Sequence, residues 1–162
     1  MNEDQIYIST KLWFKKNNYI ILAGQPPSGS DTIPVVEIKD KSNQDKGSKG
    51  SYKPDLIVKK NNSIAILECK PKFDMGDKKK LLDIIDDDQR KKELFIELTQ
   101  RKLINKNIQE LNYNDFLINI RFCMSFNGDY ESLEKISILN IFNEIGDAEL
   151  IQPKNNNYNL FI

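Results

Sequence analysis

Two apolar runs, "DLIV" at 55–58 and "IAILECK" at 64–70, are separated only by "KKNNS". No other feature constrains the fold as tightly. The intervening Asn and Ser suit a turn, so the two runs are expected to be strands of one antiparallel hairpin. Its charged residues stand at the edges: Asp55 opens the first run, and Glu68 and Lys70 close the second. Alternate side chains of a strand share a face, so Glu68 and Lys70 should point together and Cys69 to the opposite side. With Asp55 across from them, two carboxylates and an ammonium would converge.

The rest of the chain supplies elements to build around that hairpin. Residues 3–17 predict a helix, because Glu3, Ile6, Tyr7, Thr10, Trp13 and Phe14 recur at helical spacing. Glu3 then shares a face with the aromatics, and "YIILAG" reads as a first strand. "GQPPSGSDTIP" is a loop, and "VVEIK" at 35–39 is expected to be a short strand. Residues 40–51 contain no apolar side chain, which predicts a flexible polar loop at about 40–53 within one domain. A charged helical region runs from about 77 to 105 and is open to a break at "DDDQRKK". "FLINIRFCMSF" at 116–126 and "KISILNIF" at 135–142 predict two further strands, with "AELI" and "YNLFI" as short edge strands or tail.

Composition narrows the chemistry. At 162 residues the chain fits one compact domain. With 24 basic and 24 acidic residues it has no global basic footprint, so any nucleic-acid contact must come from local patches or a partner. It has no histidine, which excludes His-based triads, His general bases and imidazole-ligated zinc. Cys69 and Cys123 have no metal-ligand spacing and are expected to be free, buried thiols of an intracellular protein. The first residues lack the basic start and apolar core of a targeting segment, and no apolar run is long enough for a membrane span. A cytoplasmic protein with no membrane association is expected.

Half-buried charges without partners cost several kcal/mol, and a divalent cation would relieve that cost at the hairpin. Asp55 and Glu68 offer the hard oxygen ligands that suit Mg²⁺, with Mn²⁺ as a substitute. Lys70 beside them would orient or deprotonate a water, or neutralise charge developing on a phosphate.

"PD" at 54–55, twelve intervening residues and "ECK" at 68–70 resemble the PD-(D/E)XK nuclease superfamily of restriction endonucleases, junction resolvases and repair nucleases. The resemblance implies a restriction-endonuclease-like α/β fold, a mixed central sheet flanked by helices. It implies Asp55 and Glu68 as metal ligands, joined by the main-chain carbonyl of Cys69, and Lys70 as catalytic. An acidic residue on the first helix completes the site in much of that family, which points to Glu3, or to Asp4 if the helical register differs. Lys49, Lys53, Lys72 and Gln89 are the candidate DNA contacts.

The expected activity is thus Mg²⁺-dependent cleavage of DNA, most simply as a restriction or phage-defence enzyme. It would act as a homodimer or with a recognition subunit. A structure-selective resolvase, a repair nuclease, an RNA-cleaving variant and a non-catalytic binding subunit are the alternatives. The blander reading of the same residues is a turn aspartate with a surface Glu–Lys pair, worth little energetically. For Glu3 it is a carboxylate favoured by the helix dipole.

Overall fold

In the computed structural model, residues 1–29, 31–39 and 51–161 are described. Most of the polar stretch expected to be a loop lies outside them. The chain begins with helix α1 (Glu3–Lys16), started by a capping box in which Asn2 accepts the Gln5 N–H and the Gln5 side chain accepts the Asn2 N–H. Strand β1 (Ile20–Gly24) follows, then the hairpin β2 (Leu56–Lys60) and β3 (Ser63–Cys69). Lys60 pairs with Ser63, so the turn is only Asn61–Asn62, and Asn61 takes the positive φ of 52° that Asn tolerates.

Helices α2 (Met75–Ile85), α3 (Asp88–Gln100) and α4 (Tyr113–Asn119) then lead to β4 (Ile120–Phe126), β5 (Ser137–Ile141) and β6 (Ala148–Ile151). The break between α2 and α3 falls at the acidic run, where Asp87 caps α3 by accepting the Gln89 and Arg90 N–H groups.

The described strands form one open sheet in the order β1-β2-β3-β4-β5-β6. The β1–β2, β2–β3 and β5–β6 pairs are antiparallel, while β3–β4 and β4–β5 are parallel. Every residue of β3 and β4 is buried, as expected where helices cover both faces. On one face α1 brings Ile6, Tyr7 and Phe14 onto Leu56, Val58, Ala65, Leu67 and Cys69. On the other, Leu81, Ile84, Leu94, Leu98 and Phe116 of the three later helices cover Ile57, Ile64, Ile66 and Phe122. The architecture is a single α/β domain with a mixed sheet between helical layers.

Two expected strands differ. Residues 35–39 make a single bridge, in which Ile38 and Tyr52 exchange backbone bonds of 2.7 and 2.9 Å. Their alternation records the burial of Val36 and Ile38 rather than a ladder. The first part of 116–126 is helical: Asn112 caps α4 by accepting the Asp115 N–H, and Phe116 packs on Phe95 of α3 with ring centroids 5.3 Å apart. The strand starts only at Ile120. Near the C-terminus "AELI" is the edge strand β6, while of "YNLFI" Tyr158 ends a short 3-10 turn (Asn156–Tyr158) and residues 159–161 form no strand, the tail of the two readings.

Candidate active site

Asp55 is the residue before β2, and Glu68 is the penultimate residue of β3. Because Leu56 pairs with Leu67, the next step of the register sets Asp55 opposite Glu68. Leu56 and Leu67 pack on the α1 side, so alternation turns Glu68 to the side of α2. Asp55 Oδ2 accepts the Cys69 N–H at 2.7 Å, which ties the start of β2 to the end of β3. Glu68 is 3% exposed, and its Oε1 accepts the Tyr52 hydroxyl.

The expectation that Lys70 shares a face with Glu68 needs correction. The strand ends at Cys69, so alternation no longer sets the direction of Lys70, whose N–H donates to Ser125 O at 3.0 Å. Its ammonium instead forms an ion pair with Glu3 Oε1 in the first turn of α1, with both side chains about one-third exposed (31% and 33%). The fallback, Asp4, is engaged elsewhere, accepting the Ser28 N–H and hydroxyl. The Cys69 side chain is buried in the α1-side core, and burial pushes its thiol well above the ordinary range.

The structure adds two residues that sequence reasoning missed. Tyr52, held by its bridge to Ile38, sits over Glu68. Asp77, in the first turn of α2, is 2% exposed, and its Oδ1 accepts from Lys80 Nζ at 2.7 Å. The signal was present in "DMGD": Asp74 caps α2 by accepting the Asp77 N–H, which leaves the second aspartate free for other work. A cavity of about 200 Å³ opens beside Tyr52 and Lys80, lined also by Ser51, Asp83 and Arg90. A larger one, about 640 Å³, lies along residues 129–133 and involves none of these side chains.

The charges do not balance. Among the described residues, Glu3, Asp55, Glu68 and Asp77 face the ammonium groups of Lys70 and Lys80, a surplus of two negative charges if all are ionised. Burial pushes the Asp55 carboxyl up to about 6, with Asp77 and Glu3 adding to the shift and the Cys69 N–H and Lys70 opposing it. Burial and then the Asp55 charge push Glu68 from 4.5 to about 8, against the pull of Tyr52 and Lys80.

The raised Glu68 value has a measurable consequence. Between its ordinary and folded values the native state holds a proton that the unfolded chain has lost, so stability must fall as pH rises. In the absence of divalent cations, chemical denaturation from about pH 5 to about pH 9 should show a loss on the order of a few kcal/mol. Glu68→Gln should flatten most of that slope, and an identical slope in both proteins would contradict the assigned environment.

The candidate DNA contacts are placed differently. Lys53 and Lys72 are exposed at the two ends of the hairpin motif. Gln89 is exposed on α3, with its amide donating to Glu93 on the same helix at 2.9 Å. Lys49 lies outside the described residues.

Among the described residues, no group of three or more Asp, Glu or Cys side chains is arranged to hold a metal ion. Mg²⁺ usually takes only one or two carboxylates and keeps several waters. Asp55 and Glu68 fit that demand in donor chemistry and in surplus charge. No described helix is long and apolar enough to cross a membrane. Compared with protein-family models, curated proteins and solved structures, the chain has no significant match.

Proposed function

We propose that the protein is a divalent-cation-dependent endonuclease that hydrolyses phosphodiester bonds in DNA, on a restriction-endonuclease-like fold. The observation that carries this reading is the juxtaposition of Asp55 and Glu68. They are two carboxylates whose affinity for protons is raised by burial, at the mouth of a hairpin that also presents Lys70. The element order supports it: helix, strand, motif-bearing hairpin, helices, then a strand parallel to β3. Outside the carboxyl ends of parallel strands is also where open α/β sheets tend to bind ligands.

Asp55 and Glu68 would hold the cation, with Mg²⁺ as the expected ion and Mn²⁺ as a substitute. When bound it would polarise the phosphate and acidify a water. Glu68 must give up its proton to serve as a ligand, and Asp55 keeps its orientation through the Cys69 N–H. Burial works against the Lys70 charge, but the Glu3 hydrogen bond and the charges of Asp55, Glu3 and Asp77 outweigh it, and its pKa is raised. Lys70 is therefore an ammonium that donates to a phosphate oxygen or positions a water, and not a general base.

A restriction or phage-defence role is the subtype proposed, with a homodimer or a recognition subunit needed to cut both strands of a duplex. A non-catalytic subunit of the same fold is the competing reading. It is favoured by the Lys70–Glu3 ion pair, which already gives Lys70 a partner.

The deciding experiment incubates the full chain with supercoiled plasmid, linear duplex and single-stranded DNA, in Mg²⁺, Mn²⁺ or EDTA. Cutting that requires the cation is the expected result, and the products separate sequence-specific from structure-selective action. Cutting that persists in EDTA would overturn the mechanism. No cutting on any substrate, together with no Mn²⁺ binding by calorimetry, would favour the binding subunit.

A further inference from the structure

Among the described residues, Asp77 is the least explained charge. Its side chain is 3% exposed, and Oδ2 is buried without a hydrogen-bond partner. An unsatisfied buried acceptor is costly, and more so when charged. Capping does not account for it, because Asp74 already caps α2. An ordinary ion pair with Lys80 does not account for it either. A helical pair three residues apart contributes little and needs no buried carboxylate.

The surroundings suggest what the free oxygen is for. Each of three carboxylates has its own donor: Asp55 has the Cys69 N–H, Glu68 has the Tyr52 hydroxyl, and Asp77 has the Lys80 ammonium. Tyr52, the donor to Glu68, and Lys80, the donor to Asp77, line one cavity of about 200 Å³, and the charge of Asp77 is felt at Tyr52, Asp55, Glu68 and Lys70. Of the three donors, the Lys80 ammonium sits on a flexible side chain that is 52% exposed, so it can swing into solvent at little cost.

We propose that Asp77 is the third carboxylate of the cation site, and that the Lys80 ammonium is a resident counter-charge which an arriving divalent cation displaces. The inference rests on the proposed cation site at Asp55 and Glu68, and it extends that site by a residue the hairpin motif does not contain. Among the described residues no three carboxylates are already grouped for a cation, as expected while Lys80 is paired with Asp77 Oδ1.

The test is calorimetric titration of Mn²⁺ into the full chain without nucleic acid, for the parent, Asp77→Asn, Lys80→Met and Lys80→Arg, with thermal melts alongside. Asp77→Asn should weaken Mn²⁺ binding by about 10-fold or more. Lys80→Met should tighten it by several fold, and Lys80→Arg, which keeps the charge, should resemble the parent. A purely structural ion pair predicts altered melting with unchanged Mn²⁺ affinity, and that outcome would overturn the proposal. So would weaker binding in a folded Lys80→Met, a readout that holds even if Asp77→Asn fails to fold. Binding in the parent that neither substitution alters rejects this inference alone. No binding in the parent rejects the cation site as well.

Discussion

Asp55→Asn should abolish Mn²⁺ binding and DNA cutting together, and it should leave a cation-free protein more stable than the parent. The two effects have one origin. Asp55 carries a charge where burial disfavours it and where Asp77 and Glu3 repel it. Asn keeps an oxygen that can accept the Cys69 N–H, so the tie between β2 and β3 survives while the costly charge is gone. Above about pH 6 the gain should be on the order of 1 kcal/mol or more, visible as a raised melting temperature. Cutting should fall by about 1000-fold or more, because the cation that stabilises the developing charge loses a ligand. A stabilised but inactive variant is the signature of a group retained for chemistry rather than for the fold. Parent-like Mn²⁺ affinity in Asp55→Asn would reduce the residue to a turn aspartate.

The hairpin was legible because its signals are local. Apolar runs, turn residues and edge charges all fall within residues 55–70, whereas the register that sets Asp55 opposite Glu68 comes from the structure, where Lys59 and Lys60 extend the ladder and leave a two-residue turn inside the expected "KKNNS". The direction of Lys70 was not legible, since alternation holds only while the ladder lasts and the ladder ends one residue earlier. Tyr52 and Asp77 were missed for another reason. Tyr52 is placed by one bridge to Ile38 across an apolar-free stretch, and Asp77 by the Asp74 cap that starts α2. Neither spacing is periodic. The misread start of 116–126 has the same cause: cap and packing at Asn112 and Phe116 overrode an apolar alternation that suits a strand equally well.

Lys70→Ala should cost about 100- to 1000-fold in the rate of DNA cleavage while leaving Mn²⁺ affinity unchanged or slightly tighter. The expected split between rate and affinity follows from where the ammonium stands. It donates to Glu3 and faces the charge of Asp55, so removing it takes a positive charge away from the carboxylates and cannot weaken their hold on a cation. Fold stability should change by less than about 1 kcal/mol, because the Lys70–Glu3 pair is partly exposed. Lost activity then cannot be put down to unfolding. Lys70→Arg separates charge from shape: a planar guanidinium keeps the charge but not the compact donor, so partial activity would mean that charge alone carries much of the effect. A general base would show its own ionisation in the pH–rate profile, whereas an ammonium held by Glu3 leaves the neutral range to Asp55 and Glu68. Full cutting by a folded Lys70→Ala protein would sink the catalytic assignment and leave the Lys70–Glu3 pair as a strut between α1 and the end of β3.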